Sequence, residues 1–243
     1  TLVVRGRDVE ASDAEASDKQ GGVDQQQHQQ ERAMPSLGRS VLALAAAIAA
    51  ASAIPADPYN FTQLIDHFGT STATYEQRYY QNVTWFGGPG SPILCIMGGE
   101  GAIEPSTGIF YPFVTDVLAK RFGAAVIEPE HRYYGTSLPF GAESFTDDNL
   151  HLATPLQALA DAASFINAKR AEFGCDPTPG SEGYCPAVTI GGSYPGWLSA
   201  MMRLRYPAVV DMAYSASAPM YFYTQEVDEY AYYELITQSA EKA

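Results

Sequence analysis

This 243-residue sequence is short of cations, of cysteine and of long apolar runs, and each shortage excludes something. Fourteen Lys plus Arg stand against 28 Asp plus Glu, a formal net charge of -14, with no Lys/Arg-rich run. A surface of that sign repels a phosphate backbone, so no nucleic-acid partner is expected. Three Cys are too few for a disulfide scaffold, although they permit one bridge. The main apolar run, 40–53, spans 14 residues and is rich in Ala, too short for a comfortable membrane span. No His/Cys cluster has zinc-ligand spacing and no phosphate-cradling Gly-Lys loop occurs, so neither metal nor cofactor is expected. The chain has no internal repeat.

What is present suits one sizeable core. Hydrophobic residues make up 46% of the chain, and 21 Gly, 16 Pro and 16 Tyr point to a turn-rich globular domain. Residues 1–33 carry the low-complexity run 24–30 and too little apolar material to offset the entropy of ordering. They read as an upstream segment. Residues 34–53 have the parts of a secretory signal peptide: Met34, a short basic start at Arg39, the apolar run, and Ala51-Ser52-Ala53 as a cleavage site. Two sequons, Asn60-Phe61-Thr62 and Asn82-Val83-Thr84, are consistent with export and make Asn60 and Asn82 candidate glycosylation sites. In an oxidising compartment Cys175 and Cys185, which flank a loop rich in Pro and Gly, are expected to pair. Cys95 lies in an apolar run and reads as a buried free thiol.

From 54 onward, strands and helices alternate. The segment 79–85 reads as an edge strand, and 93–97, 124–127, 187–190 and 209–214 read as strands, the continuous apolar ones buried on both faces. Residues 113–122 have helical spacing and end at Gly123. Residues 154–173 give the clearest helix, with Thr154 as N-cap, Pro155 at the first helical position and Gly174 as the stop. Another helix follows Gly191-Gly192-Ser193. This order predicts an α/β protein with a mainly parallel sheet flanked by helices.

One motif carries chemistry. Ile190-Gly191-Gly192-Ser193-Tyr194-Pro195-Gly196 places a serine on a tight turn between a strand and a helix, exposed at the carboxyl end of the sheet. Small neighbours are needed there because the backbone of the following helix approaches closely. The helix directs its amides and positive dipole end at the site, so Ser193 is the candidate nucleophile and the Tyr194 amide a candidate oxyanion donor. Pro195 takes the place of the second Gly in the simple Gly-Xaa-Ser-Xaa-Gly pattern, which the first turn of a helix tolerates. Gly98-Gly99-Glu100-Gly101, at the end of an earlier strand, is either a plain turn or the source of the second oxyanion amide, assigned to Gly99. Glu100 would then hold a loop or a substrate amine. Glu130 and Arg132, in Glu128-Pro129-Glu130-His131-Arg132, are expected to form an ion pair bracing the floor of the active site. His131 invites a general-base role but precedes the serine, and Asp66-His67 reads as structural.

Taken together, Phe61-Thr62-Gln63-Leu64-Ile65-Asp66-His67-Phe68, Gly98-Gly99-Glu100-Gly101, Glu130-His131-Arg132-Tyr133-Tyr134-Gly135 and Gly191-Gly192-Ser193-Tyr194 resemble a family of serine peptidases. It comprises lysosomal Pro-Xaa carboxypeptidase, dipeptidyl-peptidase II and thymus-specific serine protease. The resemblance implies an α/β-hydrolase domain over 54–219 interrupted by a helical cap that opens at 220–243. It also implies secretion or lysosomal delivery, peptide substrates with proline near a terminus, and a possible homodimer of the complete protein. Ser193 matches the family nucleophile. The triad order Ser, Asp, His is not met, because all four His, at 28, 67, 131 and 151, precede Ser193. The sequence therefore reads as the amino-terminal part of a peptidase, inactive alone and with a bare sheet edge. An esterase or lipase on the same fold, or a binding protein that has lost its base, are the alternatives.

Overall fold

The computed structural model describes residues 2–5, 58–103 and 111–242. The expected signal segment lies outside the described residues. Seven strands are described: β1 (Leu2–Arg5), β2 (Tyr59–Leu64), β3 (Thr74–Asn82), β4 (Ile93–Ile96), β5 (Ala125–Pro129), β6 (Ala187–Gly192) and β7 (Met212–Ala216). They form one sheet in the order β1-β7-β6-β4-β5-β3-β2. The block β5-β4-β6-β7 is parallel, while β2, β3 and β1 join it antiparallel. The chain steps from β4 to β5 on one side and then crosses to β6 on the other side of β4. That reversal places a crevice at the carboxyl ends of β4 and β6. The architecture is α/β, a mixed sheet with a parallel centre and flanking helices.

Every residue of β4 and β5 is buried, as continuous apolar strands between helical layers should be. Their side chains alternate between two cores. Ile93, Cys95 and Ile127 face Leu159, Phe165, Ile166, Leu198 and Met202, which come from helices α1 (Pro155–Glu172) and α2 (Ser193–Arg205). Leu94, Ile96 and Val126 face Val114 and Ala119 on the opposite side, in a π-helical turn (Phe113–Leu118) that continues as Ala119–Phe122. Thr154 caps α1 by accepting from the Gln157 amide at 3.3 Å, with Pro155 in the first turn, and Gly174 leaves it at φ 71°. Helix α3 (Ala231–Glu241) has no buried residue.

Three expectations are corrected. The strand expected at 79–85 begins earlier, at Thr74, and is no edge, because β2 pairs along its other side. The strand expected at 209–214 is displaced to Met212–Ala216, since the Val209 and Val210 amides turn back to the Tyr206 carbonyl at 2.9 and 3.0 Å. The edge beside β7, expected bare, is lined by β1, whose backbone satisfies the free groups of that strand. Cys175 and Cys185 form a disulfide that closes the α1–β6 loop, and Cys95 is a buried free thiol. Asn60 is exposed on β2, whereas Asn82 is 6% exposed and its amide nitrogen is buried without a partner among the described residues.

Candidate active site

Ser193 follows the last residue of β6 and opens α2 with φ 58°, in the left-handed region that non-glycine residues rarely occupy. It is exposed. The glycines around it are explained by distances. A Cβ at Gly191 would lie 2.1 Å from the Pro195 carbonyl oxygen, and one at Gly196 would lie 2.7 Å from the Ala216 carbonyl oxygen. Helix α2 thus starts in contact with both strands beneath it. Hydroxyls hold it there: Ser215 donates to the Gly196 carbonyl at 2.7 Å, and Ser199 donates to the Tyr214 carbonyl at 3.1 Å. The loop after β4 reaches the same turn, for a Cβ at Gly99 would meet the Pro195 ring at 2.8 Å. The two segments read as the oxyanion donors are therefore neighbours.

Around this turn stand Tyr194, Trp197 and Tyr223. Tyr194 stacks on Trp197 with ring centres 6.3 Å apart, and Tyr223 meets Trp197 edge-on at 5.5 Å. Burial and the nearby Glu100 charge raise the Tyr194 hydroxyl's pKa, and both also act upward on Tyr223. A cavity of about 300 Å³ opens beside Pro195, lined among others by Gly99, Glu100, Tyr111 and Glu128. Tyr111, itself at φ 66°, sets its hydroxyl against Gly192.

The floor differs from expectation. Glu130 and Arg132 do not pair with each other. The loop leaving β5 sends them to separate partners, each the nearest opposite charge. The Glu130 carboxylate takes the Arg78 guanidinium, the backbone amides of Ile103, Thr136 and Ser137 at 3.0, 3.1 and 3.0 Å, and the Ser137 hydroxyl at 2.7 Å. It ties the loops after β4 and β5 to β3. Arg132 makes a two-pronged contact with Asp161 of α1, both bonds 2.7 Å, and donates to the carbonyls of Leu64 and Ile65. Asp161 also receives Tyr75 at 3.1 Å and His67 at 2.7 Å, so the structural reading of His67 agrees with its contacts. Asp161 and Tyr111 were not singled out from sequence. An acid inside the Ala-rich stretch of α1 was the available signal, because a carboxylate is buried only with a partner.

A family model described as Serine carboxypeptidase S28 matches residues 63–243. The chain belongs to that family. Among its S28 relatives, lysosomal Pro-X carboxypeptidase of Homo sapiens is 38% identical over 188 residues, covering 75% of this chain and 36% of the relative. The Mus musculus protein of the same name is 41% identical over 166 residues, covering 66% and 32%. Prolyl carboxy peptidase like protein 5 of Caenorhabditis elegans is 35% identical over 190 residues, covering 76% and 34%. The S28 chain thus spans about a third of the length of these curated relatives. Among its described residues no histidine or carboxylate hydrogen-bonds to the Ser193 hydroxyl, no group of three or more His, Cys, Asp or Glu is placed to hold a metal, and no helix is long and apolar enough to cross a membrane.

Proposed function

We propose that Ser193 is the nucleophile of a serine exopeptidase that hydrolyses peptides with proline near a terminus, an activity of the protein at the full length of its relatives. The observation that carries this is the exposed serine at φ 58° on the strand–helix turn, at the carboxyl ends of β4 and β6. Its Oγ attacks the scissile carbonyl carbon and passes its proton to a base outside the described residues. The resulting oxyanion lies at the N-terminus of α2, where the Tyr194 amide and, across the Pro195 contact, the Gly99 amide donate to it. Collapse breaks the C–N bond, the amine leaves with the proton, and water hydrolyses the acyl-serine. Glu130 and Arg132 support the loops, and Glu100 lies close enough to the aromatic wall to meet a substrate amine. The names of the relatives support the proline preference and a lysosomal location, and the sequons suit a lysosomal or secreted protein, with Asn60 the accessible glycan site and Cys175–Cys185 the stabilising bridge. A homodimer belongs to the same proposal.

The test is an assay of the intact protein on three reporters: a peptide ending in Pro-Phe, one beginning Xaa-Pro, and a nitrophenyl ester. Release of the last residue or of the first dipeptide is expected, with loss of both on fluorophosphonate labelling of Ser193. Ester hydrolysis alone would make the protein an esterase, and no turnover with no labelling would make it a binding protein.

A further inference from the structure

His131 lies beside the proposed site yet bonds nothing on Ser193. Its Nδ1 is 2.7 Å from the Arg132 carbonyl oxygen and its Nε2 is 2.9 Å from the Tyr194 hydroxyl. A carbonyl oxygen only accepts, so Nδ1 carries the hydrogen. In the neutral ring Nε2 is then bare, and Tyr194 must donate to it. The carbonyl that sets this choice is itself fixed, because the Arg132 side chain is clamped by Asp161 and by two backbone carbonyls. The ring is also held edge-on by Tyr134, with centres 5.3 Å apart. A continuous chain of contacts therefore runs from buried Asp161 through Arg132 and His131 to the residue that follows Ser193.

We propose that His131 is a positioning residue, whose neutral Nδ1-protonated ring tethers the Tyr194 hydroxyl and so fixes both the amide beside the nucleophile and the aromatic wall of Tyr194, Trp197 and Tyr223. This rests on the reading of Ser193 as nucleophile. Free of the tether, the Tyr194 ring would be able to swing over the serine, and the helix start would lose its side-chain anchor on the β5 loop. The groups facing His131 are Arg132 and Tyr134 on its own loop, Asp161 from α1, Tyr194 from α2 and Glu100 from the loop after β4. Burial lowers its pKa below the ordinary 6.5, and the Arg132 charge acts the same way, while the Arg132 carbonyl, Asp161 and Glu100 oppose. The unfolded chain then binds the proton more readily than the folded one. The stability from the neutral ring is complete above 6.5 and is lost as pH falls through the lowered value.

The experiment compares His131→Phe, His131→Gln, Tyr194→Phe and the Phe/Phe double variant in the intact protein, reading kcat, KM, the fluorophosphonate labelling rate and melting. His131→Phe should lower kcat about 10- to 100-fold, the range a small misplacement of reacting groups costs, with KM nearly unchanged. Tyr194→Phe should match it, the double variant should be no worse than either single, and Gln, which offers both a donor and an acceptor, should restore most of the rate. Additive losses, or an unaffected His131→Phe, would overturn the proposal. Labelling that persists in Ser193→Ala would instead overturn the nucleophile. The tether is then read by a two-bond nitrogen–proton spectrum of the histidine rings, which should show His131 Nδ1-protonated and titrating with a midpoint below 6.5. An Nε2-protonated ring, or a midpoint at or above 6.5, would refute it.

Discussion

Ser193→Ala should lower kcat of the intact protein by roughly 10⁶-fold, the loss seen when one member of a serine–histidine unit is removed, and leave KM and the melting temperature nearly unchanged. Ser193→Gly should be as inactive but more stable, by about 1 kcal/mol, because φ 58° strains a residue with a Cβ and not glycine. The two variants together separate chemistry from backbone strain. Activity and unfolding midpoint move in opposite directions only if the strain is held at the nucleophile for function. Residual peptidase activity in Ser193→Ala would remove the serine from the mechanism, and a Ser193→Gly variant that melts lower would remove the strain.

The second large effect falls on stability. Arg132 is wholly buried and Asp161 is 1% exposed, and each is the other's main counter-charge. Arg132→Met should cost roughly 3–5 kcal/mol, since it leaves a buried carboxylate with only His67 and Tyr75 as side-chain partners. A typical domain has only about 5–15 kcal/mol in total, so this variant should sit near its unfolding limit at ordinary temperature. Replacing both, as Arg132→Met with Asp161→Leu, should cost much less than the sum of the singles, because no unpaired charge remains. Urea midpoints at unchanged slope would measure this. Equal and additive losses would mean that the pair contributes only as two separate packing elements.

The elbow was legible from sequence because its signals agree. A continuous apolar strand, two glycines and a serine precede a helix, and only one local geometry accommodates all of them. Helix α1 and the Cys175–Cys185 bridge were legible for the same reason. Strand β2 and the first half of β3 were not, because their inward positions are partly polar. Gln63 and Gln77 are buried and hydrogen-bond to each other at 3.0 Å, so a count of apolar alternation passes over β2 and starts β3 only at Tyr79. Val209 and Val210 gave the opposite error. They look like a strand, but their burial comes from closing the turn after α2. The partners of Glu130 and Arg132 lie 52 and 29 residues away, a separation that adjacency in sequence conceals.

The contact between Gly99 and Pro195 couples two distant positions sterically. Proline at 195 leaves room for nothing larger than hydrogen at 99, and it also withdraws one amide from the helix start. A chain carrying a side chain at 99 would first have to give up the ring at 195. The permitted residues at these positions form a joint alphabet, in which the order of substitution matters as much as their identity.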